Sequence, residues 1–125
     1  MTQITVLYSK IHRATVTDVQ LHYEGSLTID RHLMELAGLV QYQQIEIYNI
    51  TTGARFTTYA IIGEPDTGII QVNGAAAHLA KTGDLLIIAS YANIPHAEGP
   101  DWKPKLVFVD RQNRPTSEKP EMLPV

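Results

Sequence analysis

The chain of 125 residues contains no cysteine. That excludes disulfides, thiolate metal sites and cysteine nucleophiles, and fits a reducing compartment, so a cytoplasmic protein is expected. Positive charge is also in short supply: ten Lys and Arg stand against thirteen Asp and Glu, for a formal net charge of −3. No basic stripe is present to neutralise phosphates, and no nucleic-acid partner is expected. Long apolar runs are missing. The longest wholly apolar stretch, Leu85 to Ala89, is far too short to span a bilayer, and no membrane association is expected. The opening Met1-Thr2-Gln3-Ile4-Thr5-Val6 has neither a basic n-region nor an apolar h-region, so it does not read as a signal peptide. None of the histidines, His12, His22, His32, His78 and His96, stands in HxH or HExxH spacing, and no metal site is expected.

What is present is a chain of short apolar runs broken by frequent turns. A hydrophobic fraction of 44% over this length is enough for one real core, and no linker divides the chain, so residues 1–125 read as one domain. Ile4–Tyr8, Ala14–Tyr23 and Leu27–Ile29 read as strands. In the second, Val19, Leu21 and Tyr23 share one face. Asp30 is placed to cap a helix carrying Leu33, Leu36, Ala37 and Val40 at helical spacing, and Gly38 to stop it. Gln44–Ile50 and Arg55–Ile62 form a hairpin about Thr51-Thr52-Gly53. Pro65-Asp66-Thr67-Gly68 is a turn before strand Ile69–Asn73, and Gly74 to His78 suits a single helical turn. Leu85–Tyr91 reads as a buried strand, Pro95–Pro104 as a loop and Leu106–Asp110 as a last strand. Residues 115–125, with Pro115, Pro120 and Pro124, read as a mobile tail. Many short strands with one or two short helices predict a mainly β fold that closes, or nearly closes, into a barrel, since a small open sheet would leave adhesive edges. No internal repeat is visible as sequence identity.

One dipeptide between two strands, Gly25-Ser26, admits two readings. It can be an ordinary hairpin turn, because glycine supplies unusual backbone angles and serine caps turns. It can also be a self-cleavage site. A serine hydroxyl can attack the carbonyl before it and shift the acyl group from nitrogen to oxygen. Elimination of the ester gives dehydroalanine, which hydrolyses to a pyruvoyl group and ammonia. Glycine in front leaves the carbonyl unshielded and tolerates strain. The chemistry needs a donor for the oxyanion and a base.

Other stretches supply candidate helpers. Arg55-Phe56-Thr57-Thr58-Tyr59-Ala60 is a strand with a cation, hydroxyls and a phenol, in which Arg55, Thr57 and Tyr59 share a face and Thr58 takes the other. Asn73-Gly74-Ala75-Ala76-Ala77-His78 offers backbone N–H groups beside small side chains, where a carboxylate can approach closely. Lys10 and His12, two apart, face the same way. Each has a plainer role open to it: Arg55 in a surface ion pair, Tyr59 as a core residue with its hydroxyl at the rim, Lys10 in solvent, His12 as a hydrogen-bonded neighbour.

The stretches Lys10 to Ala14, Leu21 to Ser26, Arg55 to Ile61, Val72 to His78 and Gly83 to Ser90, in this order and spacing, resemble the aspartate 1-decarboxylase family of pyruvoyl enzymes, which serve pantothenate synthesis. The resemblance runs through residues ~7–110 and leaves out the tail. It implies a six-stranded double-psi β-barrel with short helices, and self-cleavage into residues 1–25 and 26–125. It also implies a covalent pyruvoyl cofactor from Ser26, L-aspartate as substrate, and a homotetramer with sites between subunits; some relatives need a maturation factor. In the implied chemistry the amine of aspartate forms a Schiff base with the pyruvoyl ketone, and the α-carboxylate leaves as carbon dioxide. By the same resemblance Ser26 and Tyr59 are catalytic, and Thr58, Gly74, Ala75 and Ala76 bind substrate. Arg55 and Lys10 are cations near it, and His12 and Asn73 support the cluster. Departures are Tyr48, where some relatives have tryptophan, Leu27 and Leu79, where some have cysteine, and Tyr8-Ser9 in place of a smaller pair. None removes a reacting group. Two competing readings are an uncleaved, inactive relative and a non-enzymatic small barrel that binds a partner.

Overall fold

Alternation of apolar and polar side chains decides most of the strands. In Gln44–Asn49 (β4), Ile45 and Ile47 are fully buried while Glu46 and Tyr48 between them reach solvent. The computed structural model describes residues 2–116. The other elements are β1 (Gln3–Thr15), β2 (Asp18–Gln20), β3 (Ser26–Asp30), helix α1 (Arg31–Ala37), β5 (Arg55–Gly63), β6 (Ile70–Asn73), β7 (Leu85–Pro95), β8 (Lys105–Val109) and β9 (Pro115–Thr116), with 3-10 helices at Gly74–His78 and His96–Asp101.

The pairing closes on itself. β7 lies antiparallel to β1 and to β4, β4 antiparallel to β5, β5 parallel to β3, β3 antiparallel to β6, and β6 parallel to β2. β2 is the continuation of β1 past a bend. There Val16 N donates to Asp84 O and Thr17 N to Ile70 O, both at 2.9 Å, so the chain passes from its β7 partner to its β6 partner without losing a ladder bond. Counting β1 and β2 as one, six strands make a barrel with no free edge. β8 adds to β1 from outside, in parallel, and β9 adds to β8.

The barrel consists of two matching halves. Exchange β1/β2, β3, α1 and β4 for β5, β6, the 3-10 helix Gly74–His78 and β7, and the pairing is unchanged: the parallel pair β3–β5 becomes β6–β2, and β4–β5 becomes β7–β1. Two interlocked parallel crossovers of this kind are the double-psi arrangement. Ile11, Leu27, Ile29, Ile70, Leu86 and Ile88 fill the interior from both halves, each at 0–1% exposure. Burying one such side chain contributes about 1.5–3 kcal/mol.

α1 starts at Asp30 and stops at Gly38 as expected, but the stop leaves Val40 beyond the helix, and Val40 and Leu36, expected on its apolar spacing, are both exposed. Asp30 accepts from His32 N at 2.8 Å, and Gly38 ends the helix in the left-handed region at φ 70°. Buried Asp30 also accepts from Asp66 N at 3.1 Å and Gly68 N at 2.8 Å, which ties the turn before β6 to the head of the helix.

Several expectations need correction. The first two expected strands are one 13-residue strand followed by a short one. The second ends at Gln20, so Leu21 and Tyr23 share no buried face with Val19 and lie exposed on a turn. A strand cannot continue there because the chain must reverse to enter β3. β7 runs on to Pro95, since β1 is long enough to pair with it throughout, and the expected loop after it holds a 3-10 helix. Of the expected tail, Pro115 and Thr116 pair with Val109 and Phe108. Residues 117–125 lie outside the described residues.

Replacing Asp30 by alanine leaves three backbone N–H groups without their acceptor. The expected loss is about 2–4 kcal/mol in urea denaturation, with a smaller loss for Asp30→Asn. Unchanged stability of Asp30→Ala would show that the turn before β6 is held by other contacts.

Candidate active site

Ser26 is the first residue of β3. It is 1% exposed, although the turn that delivers it, Leu21 to Gly25, is open to solvent. The buried end of β6 explains the arrangement. Asn73, fully buried, stands directly opposite Ser26 in the antiparallel ladder. Its Oδ1 accepts from Gln71 Nε2 at 2.8 Å, so its Nδ2 must face the other way. That nitrogen donates to Ser26 Oγ and to Thr28 Oγ1, both at 3.0 Å. With a donor already bound, the Ser26 hydroxyl directs its own proton to the carbonyl of Glu24 at 3.2 Å.

The neighbouring glycines differ in what they need. Gly74 sits at φ 68°, and a Cβ there would stand 2.6 Å from Gly25 N and from Tyr23 O. Only glycine lets the 3-10 helix Gly74–His78 lie against the turn that carries Gly25. Gly25 meets no such limit. A Cβ there would find nothing within 4 Å, and its φ lies outside the left-handed region. The expected backbone strain at Gly25 is therefore not what glycine serves; an unshielded carbonyl remains as its contribution.

Beside the turn lies a cavity of about 340 Å³ lined by Gly25, Phe56, Thr57, Thr58, Tyr59, Ala75, Ala76 and Leu79. β5 supplies Thr58 and Tyr59, and the 3-10 helix supplies the two alanines. The Tyr59 ring packs 6.1 Å from the ring of Tyr42. The structure thus gathers Gly25, Ser26, Thr58, Tyr59, Asn73, Gly74, Ala75 and Ala76 into one neighbourhood.

It does not bring Lys10, His12 or Arg55 there. These line up on the outer face of the barrel, in two rows running across β1, β7, β4 and β5. Lys10 pairs with Ala89, Ala89 with Glu46 and Glu46 with Thr57; His12 pairs with Ile87, Ile87 with Tyr48 and Tyr48 with Arg55. Arg55 forms no ion pair among the described residues, contrary to its plainer reading. Its guanidinium lies over the Tyr48 ring at 4.7 Å. Glu46, in the adjacent row, is engaged by Thr57 Oγ1 at 2.6 Å and Gln44 Nε2 at 3.4 Å. The His12 ring meets Phe108 edge-on at 5.8 Å, and its Nδ1 is buried without a partner. Burial first, then Lys10 and Arg13, hold this imidazole below the ordinary histidine range, so it is neutral near pH 7.

Sequence reasoning missed Tyr91, whose hydroxyl meets that of Tyr48 at 2.7 Å. It also missed Tyr42. Both are exposed aromatics, a signal that a strand pattern alone does not separate from a rim residue. Among the described residues there is no cluster of three or more His, Cys, Asp or Glu that could hold a metal, and no helix long and apolar enough to cross a membrane.

Comparison with known proteins adds independent ground. Residues 2–116 match the family model for aspartate decarboxylase. The aspartate 1-decarboxylase of Hydrogenovibrio crunogenus is 56% identical over 114 residues, covering 91% of this chain and 88% of that protein. That of Albidiferax ferrireducens is 59% identical over 110 residues, covering 88% and 82%. That of Myxococcus xanthus is 55% identical over 106 residues, covering 85% and 82%. Among solved structures, the computationally designed msDPBB_sym2 protein matches 68% of this chain and 96% of its own with a TM-score of 0.45 and 21% identity. With a match that spans every described residue and relatives identical at more than half of the aligned positions, this chain belongs to the aspartate decarboxylase family.

Proposed function

We propose that this chain decarboxylates L-aspartate to β-alanine through a pyruvoyl group made from Ser26, after its backbone breaks between Gly25 and Ser26. β-Alanine then enters pantothenate, and through it coenzyme A. The observation that carries the reading is the buried Ser26 hydroxyl, held by Asn73 Nδ2 at 3.0 Å next to a cavity walled by Gly25, Thr58 and Tyr59.

In processing, Ser26 Oγ bonds to the Gly25 carbonyl carbon as the C–N bond between the two residues breaks. Removal of the Ser26 α-proton expels the Gly25 carboxylate, and water replaces the nitrogen, which leaves as ammonia. Thr58, on the wall shared with Gly25, is the hydroxyl suited to the oxyanion. Position 26 suits the finished group: loss of Oγ frees an Asn73 N–H in a buried place. A buried donor without an acceptor costs about 1–3 kcal/mol, so this one is available to an incoming oxygen.

The pyruvoyl carbonyl supplies an electron sink for the bond to the departing carboxylate. The chain's own residues do the rest. Tyr59 donates the proton to the substrate α-carbon, a role a phenol can fill because the acceptor is strongly basic. The backbone of Gly74, Ala75 and Ala76 admits a carboxylate close to the main chain. Arg55 offers an unpaired planar fork for the second carboxylate, with Lys10 as a further cation. His12, neutral, adds no charge to that row; its ring packs against Phe108.

Arg55 and Lys10 lie on the outer face and do not line the cavity with Thr58 and Tyr59. Two chains together complete a site if the outer face of one covers the cavity of another, which favours a homo-oligomer; the family resemblance implies a homotetramer. Exposed Tyr91, Tyr42 and Leu106 suit such contacts. A maturation factor, where needed, would act on the exposed turn from Leu21 to Gly25. The lack of cysteine supports a cytoplasmic setting.

Intact-mass spectrometry of the purified protein should give two fragments, residues 1–25 and 26–125, the larger with a carbonyl-reactive N-terminus. Ser26→Ala should give one full-length mass and no β-alanine; β-alanine formed by that variant would sink the mechanism. Arg55→Ala should still cleave, with kcat/KM for aspartate down by about a hundredfold or more. Wild-type aspartate kinetics in Arg55→Ala would remove its role as anchor.

A further inference from the structure

The outer face carries an arrangement the proposed reaction has not used. Tyr91 Oη and Tyr48 Oη are 2.7 Å apart, and the ring of Tyr48 carries the Arg55 guanidinium at 4.7 Å. The three side chains come from β7, β4 and β5, with Tyr48 in the middle. Tyr48 pairs with Ile87, and Tyr91 stands four residues further along β7 on the same face. That separation is roughly 13 Å at the usual strand rise, a gap two phenols close only by reaching toward each other. Ala89 sits between them on this outward face, yet it is 1% exposed. Its methyl leaves room for the phenols to meet.

The geometry points to Tyr91 as a positioning residue for substrate: its hydroxyl fixes the Tyr48 ring, and that ring holds the open fork of Arg55 toward a substrate carboxylate. Three observations support it. First, the Arg55 guanidinium has no hydrogen bond or ion pair with any described residue, and the Tyr48 ring is what it rests on. Second, Glu46, which could have captured Arg55, is bound by Thr57 and Gln44, so the guanidinium charge is left for a ligand. Third, the Tyr48 phenol is pushed up to about 12, first by the hydrogen bond with Tyr91 and then by burial, against the opposite pull of Arg55. The ring under the cation is therefore a neutral phenol throughout the working pH range. A guanidinium over an aromatic face keeps its in-plane N–H donors free, which is the presentation a carboxylate needs.

This inference rests on the reading of Arg55 as carboxylate anchor. It is tested with Tyr91→Phe and Tyr48→Phe, each of which removes one hydroxyl and keeps the ring. In self-cleaved enzyme, Tyr91→Phe should raise KM for aspartate about three- to tenfold, with kcat within about twofold of wild type. The dissociation constant of succinate, a dicarboxylate without the amine, should rise by the same factor in calorimetry. Tyr48→Phe should match it. The double variant should be no worse than either single one, because both remove the same bond. An ultraviolet phenol titration should show Tyr48 ionising at lower pH once Tyr91 is phenylalanine. If Tyr91→Phe leaves KM and succinate binding unchanged while Arg55→Ala weakens both, the positioning role is wrong and the anchor stands. If Arg55→Ala also changes neither, the anchor reading falls and takes this one with it. A drop in kcat at constant KM would likewise overturn it.

Discussion

The carboxamide of Asn73 is the fixed point from which the site is built. Gln71 holds its oxygen, so its nitrogen has one direction left, toward Ser26 and Thr28. The antiparallel register of β3 and β6 sets that direction. A slip of one residue would turn Asn73 to the opposite face and leave the serine without its partner. Burial adds weight, because every polar atom here must find a mate inside the protein. The serine's lone pair and proton are thereby both assigned before any chemistry begins.

β5 connects this buried corner to the outer face. Thr58 and Tyr59 reach the cavity from its middle, while Arg55 stands at its beginning, on the outside, above Tyr48. Local hydrogen bonding decides which charges stay available. Glu46 is bound by a hydroxyl and an amide, so the arginine is not neutralised. His12 sheds its proton because burial and two neighbouring cations disfavour the charged ring. The result is a strip with two available cations and no competing imidazolium.

Much of this was legible in the chain. The hairpin of β4 and β5 showed in the alternation of Ile45 and Ile47 with Glu46 and Tyr48. Asp30 and Gly38 marked α1 by their chemistry alone. The grouping of Thr58, Tyr59, Gly74, Ala75 and Ala76 with Gly25 followed from family likeness; all of these but Gly74 line the cavity, and Gly74 lies against the turn that carries Gly25. Other features were hidden because they depend on distant partners. β1 looked like two strands, since its bulges between Leu7 and Ser9 and between His12 and Ala14 break the alternation. The need for glycine at position 74 is set by backbone from the turn before Ser26, which no local pattern encodes. The meeting of Tyr48 with Tyr91 joins residues 43 positions apart across two strands whose pairing had to be known first.

The two-halved barrel leaves no trace of repetition in its residues, yet its pairing repeats. Asp30 and Asn73 hold equivalent places, each at the point where a strand hands over to a helix. One braces backbone amides and keeps the architecture shut; the other has been released from that duty and grips a reactive hydroxyl. Duplicated corners permit such a division of labour: a spare joint can be turned to a new trade while its twin goes on bearing the structural load.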